Sequence, residues 1–139
     1  MTIGSVVPRS TTTLARGLAG LLLGMGVLHV VRPEPFDRIV PAELPGSARF
    51  YTYASGAVEL AVGGLLAVPR TRRLGGLAAA ALFVAVFPGN LNGVRVFWSR
   101  PWLRAAAIAR LPFQIPLVVA ALRVWRGSGG SETETIPPG

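Results

Sequence analysis

Cysteine is absent from this 139-residue sequence, and so is lysine, while histidine occurs once. The absence of cysteine excludes disulfides, thiolate metal ligands and dithiol redox chemistry, so any electron transfer would require a bound cofactor. The motifs of zinc proteases, serine hydrolases and nucleotide-binding P-loops are absent as well. We therefore predict no metal site and no catalytic residues.

Charged side chains are scarce, because they make up 14% of the sequence against 51% hydrophobic residues. Soluble domains carry roughly a quarter charged residues, so a soluble helical domain fits this composition poorly. The formal net charge is +8, and in a soluble protein such a basic balance would suggest nucleic acid. Most of the arginines stand at the ends of apolar runs, where they bind lipid head groups. The predicted partner is thus the lipid bilayer, and we predict no binding of nucleic acid.

Long apolar runs predict an all-α membrane protein with four transmembrane helices in one bundle. A run of about eighteen residues rises about 27 Å as a helix, which is enough for the hydrocarbon core. Arginines precede the first run, as in a signal peptide, but no small-residue cleavage site follows it, which favours an uncleaved anchor. The predicted spans are about 14–31, 50–68, 74–94 and 105–125, in a transmembrane domain of residues 14–125 between a polar N-terminal segment, 1–13, and a disordered tail, 126–139.

Four spans place both termini on the same side of the membrane. The short loop between the second and third spans contains Arg70, Arg72 and Arg73. Short arginine-rich loops are retained in the cytoplasm. We therefore predict that both termini are cytoplasmic.

Glu59 stands in the middle of the second span, where an ionised carboxylate costs about 2.5 kcal/mol or more unless it is paired or protonated. Thr52, Ser55 and Glu59 share one helix face. Arg110 of the fourth span has a similar estimated depth, which predicts an ion pair with Glu59. The alternative is that Arg110 extends toward the interface and that His29 or Asn90 is the partner of Glu59. Pro88 either kinks the third span or ends it.

Local signals predict how the helices begin, pack and bend. The Ser/Thr cluster before Leu14 predicts an N-cap for the first helix. Gly20 and Gly24 have the small-xxx-small spacing that allows two helices to approach closely. Pro112 and Pro116 predict a bent fourth helix along a cavity.

Counting residues from the ends of the spans gives similar membrane depths for one set of polar side chains. We therefore predict that they meet in one outward-facing pocket. A ligand site and a structural interhelical hydrogen-bond network explain this cluster equally well, and His29 alternatively caps the first helix near the head groups. If a ligand binds, a quinone is the candidate cofactor, because its head group needs hydrogen-bond donors beside apolar walls. The pocket candidates are His29, Tyr53, Ser55, Glu59, Asn90, Arg110 and Gln114.

Four segments, in this order, resemble the DoxX-like family of small bacterial membrane proteins. They are GVLHVVRPEPFDRIVP (26–41), YASGAVELAVGGLLAVPRTRRLGG (53–76), FPGN (87–90) and RLPFQIP (110–116). The resemblance implies a four-helix, multi-pass protein of the bacterial cytoplasmic membrane. Some relatives are associated with quinone-linked oxidoreductases, and a distant animal branch with the assembly of membrane receptors. The resemblance implies no settled set of catalytic residues. This chain has no cysteine, and it departs in this respect from a protein that takes part in thiol oxidation.

Two functions are compatible with these features. The first is a non-catalytic or accessory membrane subunit with an intramembrane polar pocket, which supports a membrane protein partner or a second copy of itself. The alternative is a quinone- or lipid-binding subunit of a membrane oxidoreductase. Whether the chain is an enzyme stays open, although the missing motifs favour a non-catalytic role.

Overall fold

A computed structural model describes residues 9–129 of the chain. Every regular element in this range is helical and no strand occurs there, which confirms the all-α prediction. The predicted N-terminal segment up to residue 8 and the predicted tail from residue 130 lie outside the described residues. The helices are α1 (Arg9–Val31), α2 (Glu34–Asp37), α3 (Ala48–Ala67), α4 (Arg72–Ala85), α5 (Phe87–Val96) and α6 (Pro101–Gly127), with a 3₁₀ turn at Pro69–Thr71.

Within residues 9–129, three helical stretches are long and apolar enough to cross a membrane: Arg9–Val31, Pro69–Val96 and Pro101–Gly127. They overlap the first, third and fourth predicted spans and are compatible with an integral membrane protein. α3 has 20 residues but does not reach the same apolarity. The reason is its content of Glu59 and of several side chains with hydroxyl groups.

The four long segments form a closed ring. α1 packs along α3, and α4 packs along α6, while contacts between α3 and α4 and between α1 and α6 join the two pairs. The core between them contains Leu18, Leu22, Leu66, Phe83 and Val124. Large apolar side chains also cover the outside of the ring, which is typical of a surface that contacts lipid.

Helices approach one another closely at particular glycines. A Cβ atom on Gly76 would lie 2.6 Å from the backbone nitrogen of Trp125, so only glycine fits between α4 and α6. On α1, the Cβ position of Gly26 lies 2.7 Å from a leucine side chain of α3. Gly20 and Gly24 instead face outward, with no atom of the described chain within 4 Å. The prediction that these two glycines pack closely is therefore wrong within the chain.

A break at Val86 separates α4 from α5. Pro88 lies in the first turn of α5, a position that accepts proline because the first N–H groups of a helix have no intrahelical partner. Of the two alternatives for this proline, the structure shows an interrupted span that continues as a helix. α6, by contrast, runs through Pro112 and Pro116 without a break.

Capping rules hold at the start of α3 but not in α1. Ser47 is the N-cap of α3, where its hydroxyl oxygen accepts a hydrogen bond from the Phe50 N–H at 3.2 Å. The Ser/Thr cluster before Leu14 lies inside α1 instead, and the Thr13 hydroxyl donates to the Arg9 carbonyl at 3.0 Å. The N-cap predicted for that cluster is therefore wrong.

Candidate functional site

A cavity of about 970 Å³ lies between the helices. Its walls come from α1, α3, α4, α5 and α6, and the segment around α2 contributes one end. Most of the lining is apolar, which suits the hydrocarbon part of a ligand. The apolar lining includes Leu22, Met25, Val62, Leu82, Phe113 and Leu117.

His29 and Glu59 form the polar centre of this cavity. α1 and α3 meet closely here, because a Cβ atom on Gly56 would lie only 2.8 Å from the Cβ of His29. The Nδ1 atom of His29 is 3.0 Å from Glu59 Oε2 and 2.7 Å from the Met25 carbonyl oxygen. Both residues are 7% exposed, so the packing of the two helices fixes this arrangement.

Two acceptors compete for the single hydrogen that His29 Nδ1 can carry. The geometry directs it to the Met25 carbonyl, and Glu59 Oε2 is left without a hydrogen bond in spite of its short distance from the ring. No other group within residues 9–129 donates a hydrogen bond to this oxygen. A buried acceptor without a donor is destabilising, so this oxygen is the position on the cavity wall where a hydrogen-bond donor would be most favourable.

The segment that follows α1 covers one end of the cavity. Phe36 of α2 stacks on the His29 ring, with 3.7 Å between the ring centroids and 21° between the ring planes. The Ile39 carbonyl accepts a hydrogen bond from Asn92 Nδ2 at 3.0 Å, which ties the segment to α5. The polar centre formed by His29 and Glu59 is thus enclosed by α1, α3 and the segment that follows α1.

An ion pair fixes the same segment to the start of α3. Arg49 Nε donates to Asp37 Oδ2 at 2.8 Å. Burial acts to raise the pKa of Asp37, but the neighbouring Thr52 hydroxyl and the Arg49 guanidinium stabilise the carboxylate, and the pKa lies below its ordinary value of 3.8. The carboxylate in turn raises the pKa of Arg49.

Gln114 of α6 compensates for the break at Val86. Its Nε2 donates to the Phe83 carbonyl at 2.6 Å, and its Oε1 accepts from Asn90 Nδ2 at 3.4 Å. Phe83 belongs to the last turn of α4, whose carbonyls have no partner within the helix. This half of the cluster is therefore an interhelical hydrogen-bond network, with its amide groups already engaged.

Arg110 lines the cavity but is exposed, and it forms no ion pair within residues 9–129. The predicted ion pair between Glu59 and Arg110 is therefore wrong, and His29 occupies the position beside the carboxylate. The physical reason is the packing: α3 lies along α1 over most of its length, whereas it has no extensive contact with α6.

Tyr53 is the one predicted pocket residue that the structure does not bring to the cavity. Its side chain is exposed, and the Arg49 guanidinium carbon lies 5.6 Å from the centre of its ring. Whether the other six bind a ligand stays a prediction. The six predicted residues that do line the cavity are His29, Ser55, Glu59, Asn90, Arg110 and Gln114.

The predicted set lacks several residues that line the cavity, among them Tyr51, Thr52 and Phe36. Tyr51 and Thr52 line the wall, and Tyr51 stands four and eight residues before Ser55 and Glu59, so helical spacing alone would have preferred it to Tyr53. Phe36 is different, because only the path of the chain after α1 brings it to the cavity. No local pattern in the sequence indicates that position.

The cavity combines a carboxylate acceptor, a guanidinium donor and apolar walls, a set suited to holding the polar head and the hydrocarbon part of one amphiphilic molecule. Over the part of the chain that the structure describes, no group of three or more His, Asp or Glu side chains is placed to hold a metal ion.

A family model described as a domain of unknown function, DUF8561, matches residues 18–125. No curated protein and no solved structure matches the chain. The matched range includes every residue that lines the cavity and most of the described chain. This chain therefore belongs to the DUF8561 family.

Proposed function

We propose that this protein is a multi-pass membrane protein that binds an amphiphilic ligand, such as a lipid or a quinone, between its helices. The observation that carries the proposal is the cavity of about 970 Å³ with the buried Glu59 carboxylate on its wall. Ligand sites for small molecules have volumes of about 300–1,000 Å³ and combine apolar walls with a few polar groups. In this proposal the protein binds its ligand without catalysing a reaction, as an accessory subunit of a membrane assembly.

The membrane arrangement is part of the same proposal. α3 is taken as a fourth span, because its ring position between α1 and α4 requires it to run beside spans that cross the bilayer. Four spans place both termini on the same side of the membrane, which in this proposal is the cytoplasmic side. The cavity then opens in the outer half of a bacterial cytoplasmic membrane. The relation to DoxX-like proteins belongs to this proposal too, and the quinone is its candidate ligand.

Ligand binding is tested by purifying the protein in lipid nanodiscs and identifying small molecules that remain after exchange into defined lipid. We expect a lipid-like molecule in near-stoichiometric amount, and we expect added quinone or the recovered molecule to raise the unfolding temperature. No retained molecule and no stabilisation by any added amphiphile would contradict the proposal.

A matched pair of substitutions locates the binding site. Ala81 lines the cavity, whereas Ala106 is an exposed residue of α6 that does not. Ala81→Phe should abolish the ligand-dependent stabilisation by filling the cavity, and Ala106→Phe should leave it unchanged. Equal effects of the two substitutions would place the ligand elsewhere.

A specific observation favours a second function, the support of a membrane protein partner. Gly17, Gly20 and Gly24 form an outward face of α1 with no described atom within 4 Å of their Cβ positions, and such faces allow another helix to approach. Gly20→Leu should then release a partner or a second copy that co-purifies in mild detergent, whereas Ala57→Leu on the exposed face of α3 should not. Recovery of the native protein alone would contradict this function.

A further inference from the structure

The carboxylate of Glu59 determines which head group the cavity can accept. It is 93% buried, it lines the cavity, and its Oε2 receives no hydrogen bond from residues 9–129. The single hydrogen on the adjacent His29 Nδ1 is directed to the Met25 carbonyl. A ligand that donates a hydrogen bond would satisfy this acceptor, whereas an ether or ester head, which has no donor, would leave it unsatisfied.

The charges of the cavity residues further limit which head groups the cavity can accept. An anionic head would approach Arg110 favourably but would bring a second negative charge into the cavity beside Glu59. A cationic head group would pair with Glu59 but would meet the guanidinium of Arg110, which lines the same cavity from α6. A neutral head group avoids both repulsions, and its hydroxyl hydrogen can bind Glu59.

The apolar lining shows where the hydrocarbon part would lie. Leu22 is seven residues before His29 on α1, which corresponds to a distance of about 10 Å along a helix. Val62 stands one turn past Glu59 on α3, and Leu117 faces the same space from α6. An alkyl chain can therefore extend along these side chains while its head stays at Glu59.

We propose that the ligand of this cavity is a neutral amphiphile with a hydroxyl head, and that Glu59 accepts the hydrogen bond of that hydroxyl. This inference rests on the proposed ligand-binding function and adds the chemical class of the head group; of the two redox forms of the candidate quinone, only the reduced quinol carries hydroxyl groups. It identifies Glu59 as the residue that distinguishes a hydroxyl from its methyl ether.

The test compares two probes that differ only in the donor: 1-dodecanol and its methyl ether. Each is added at graded mole fractions to nanodiscs that contain the wild-type protein, and apparent affinities are obtained from the rise in unfolding temperature. We expect the alcohol to bind at least about tenfold more tightly than the ether, because the ether leaves the buried Oε2 of Glu59 without a donor. Glu59→Leu, which removes both acceptor oxygens, should reduce this ratio to about twofold or less.

The matched control is Glu43→Leu, which makes the same chemical change on an exposed loop residue outside the cavity lining. It should leave the tenfold preference intact. Equal affinity of the wild-type protein for both probes would overturn the hydroxyl assignment and leave the ligand-binding function standing, as would a preference that survives in the Glu59→Leu variant. If neither probe binds and none of the other amphiphiles does, the proposed function itself is overturned.

Discussion

Single residues in the cavity show that the nearest partner of a buried charge is set by helix packing. Depth along the bilayer predicts Arg110 as the partner of Glu59, but depth gives no information about which helices are neighbours. His29 has that position because α1 and α3 pack closely along their length. The presence of a polar cluster could be predicted from the sequence, whereas the pairing within it could not.

Substitution of both members of the central pair should reveal coupling between His29 and Glu59. Glu59→Gln and His29→Gln should each lower stability, because each removes one member of a buried pair whose Nδ1 and Oε2 atoms lie 3.0 Å apart. The double variant should recover part of that loss, with a coupling of at least about 1 kcal/mol. Unfolding in detergent measures this, and the cycle of Glu59→Gln with Arg110→Gln serves as the control. Coupling to Arg110 and not to His29 would contradict the observed geometry.

Gln114→Leu should destabilise the protein by about 1–3 kcal/mol, because it leaves the Phe83 carbonyl buried without a donor at the end of α4. Asn90→Leu should cost less, since its contact with Gln114 is long at 3.4 Å. Thermal unfolding of the two variants gives the order. The reverse order would mean that Asn90, and not Gln114, carries the network.

The Asp37–Arg49 pair should make stability depend on pH. The pKa of Asp37 is lower in the folded chain than its ordinary value of 3.8, so the unfolded chain binds a proton first as the pH falls. The stabilisation is therefore complete above that value and is lost as the pH drops through the folded pKa. Asp37→Asn should be less stable than wild type by up to about 1 kcal/mol at pH 7. Unfolding from pH 7 to pH 3 should show the difference closing, and a constant difference would contradict it.

Helices differ in how much of their environment the sequence reveals. Apolar runs and periodicity predict the long helices, since a span must satisfy its own backbone hydrogen bonds. The outward direction of Gly20 and Gly24 depends on which side of α1 meets α3, and this is decided by the other helices. The position of the short helix α2 likewise depends on contacts between distant parts of the chain. Phe36 stacks on His29, and the Ile39 carbonyl, just after α2, binds Asn92 of α5.

Glycine substitutions should separate packed helix faces from open ones. Gly76→Ala should lower stability by about 1–3 kcal/mol, because the new methyl group would meet the Trp125 backbone at 2.6 Å. Gly20→Ala should be neutral or stabilising by up to about 1 kcal/mol, because alanine favours the helix and its face is open. Unfolding of both variants in detergent tests the contrast. Equal losses would mean that the open face of α1 is covered in the purified protein.

At the scale of the whole molecule, the orientation of the ring that residues 9–129 form can be tested because the chain contains no cysteine. Arg70→Cys and Arg100→Cys introduce single thiols at exposed positions of opposite ends. Arg72 is unsuitable, since it is 7% exposed and its Nε donates to the Leu66 carbonyl at 3.1 Å. An impermeant maleimide added to intact cells should label position 100, and position 70 only after permeabilisation. Labelling at position 70 in intact cells would reverse the orientation.

During synthesis, α4 and α5 leave the ribosome before α6 exists. The Phe83 carbonyl then lacks the Gln114 amide that satisfies it in the finished protein, and an unsatisfied carbonyl is costly in hydrocarbon. We expect the segment of α4 and α5 to remain loosely inserted until α6 arrives, so α6 completes membrane integration as well as the cavity wall. A nascent chain ending after Arg100 should therefore be extracted from membranes by alkali more readily than the full chain, and equal resistance would contradict this order of assembly.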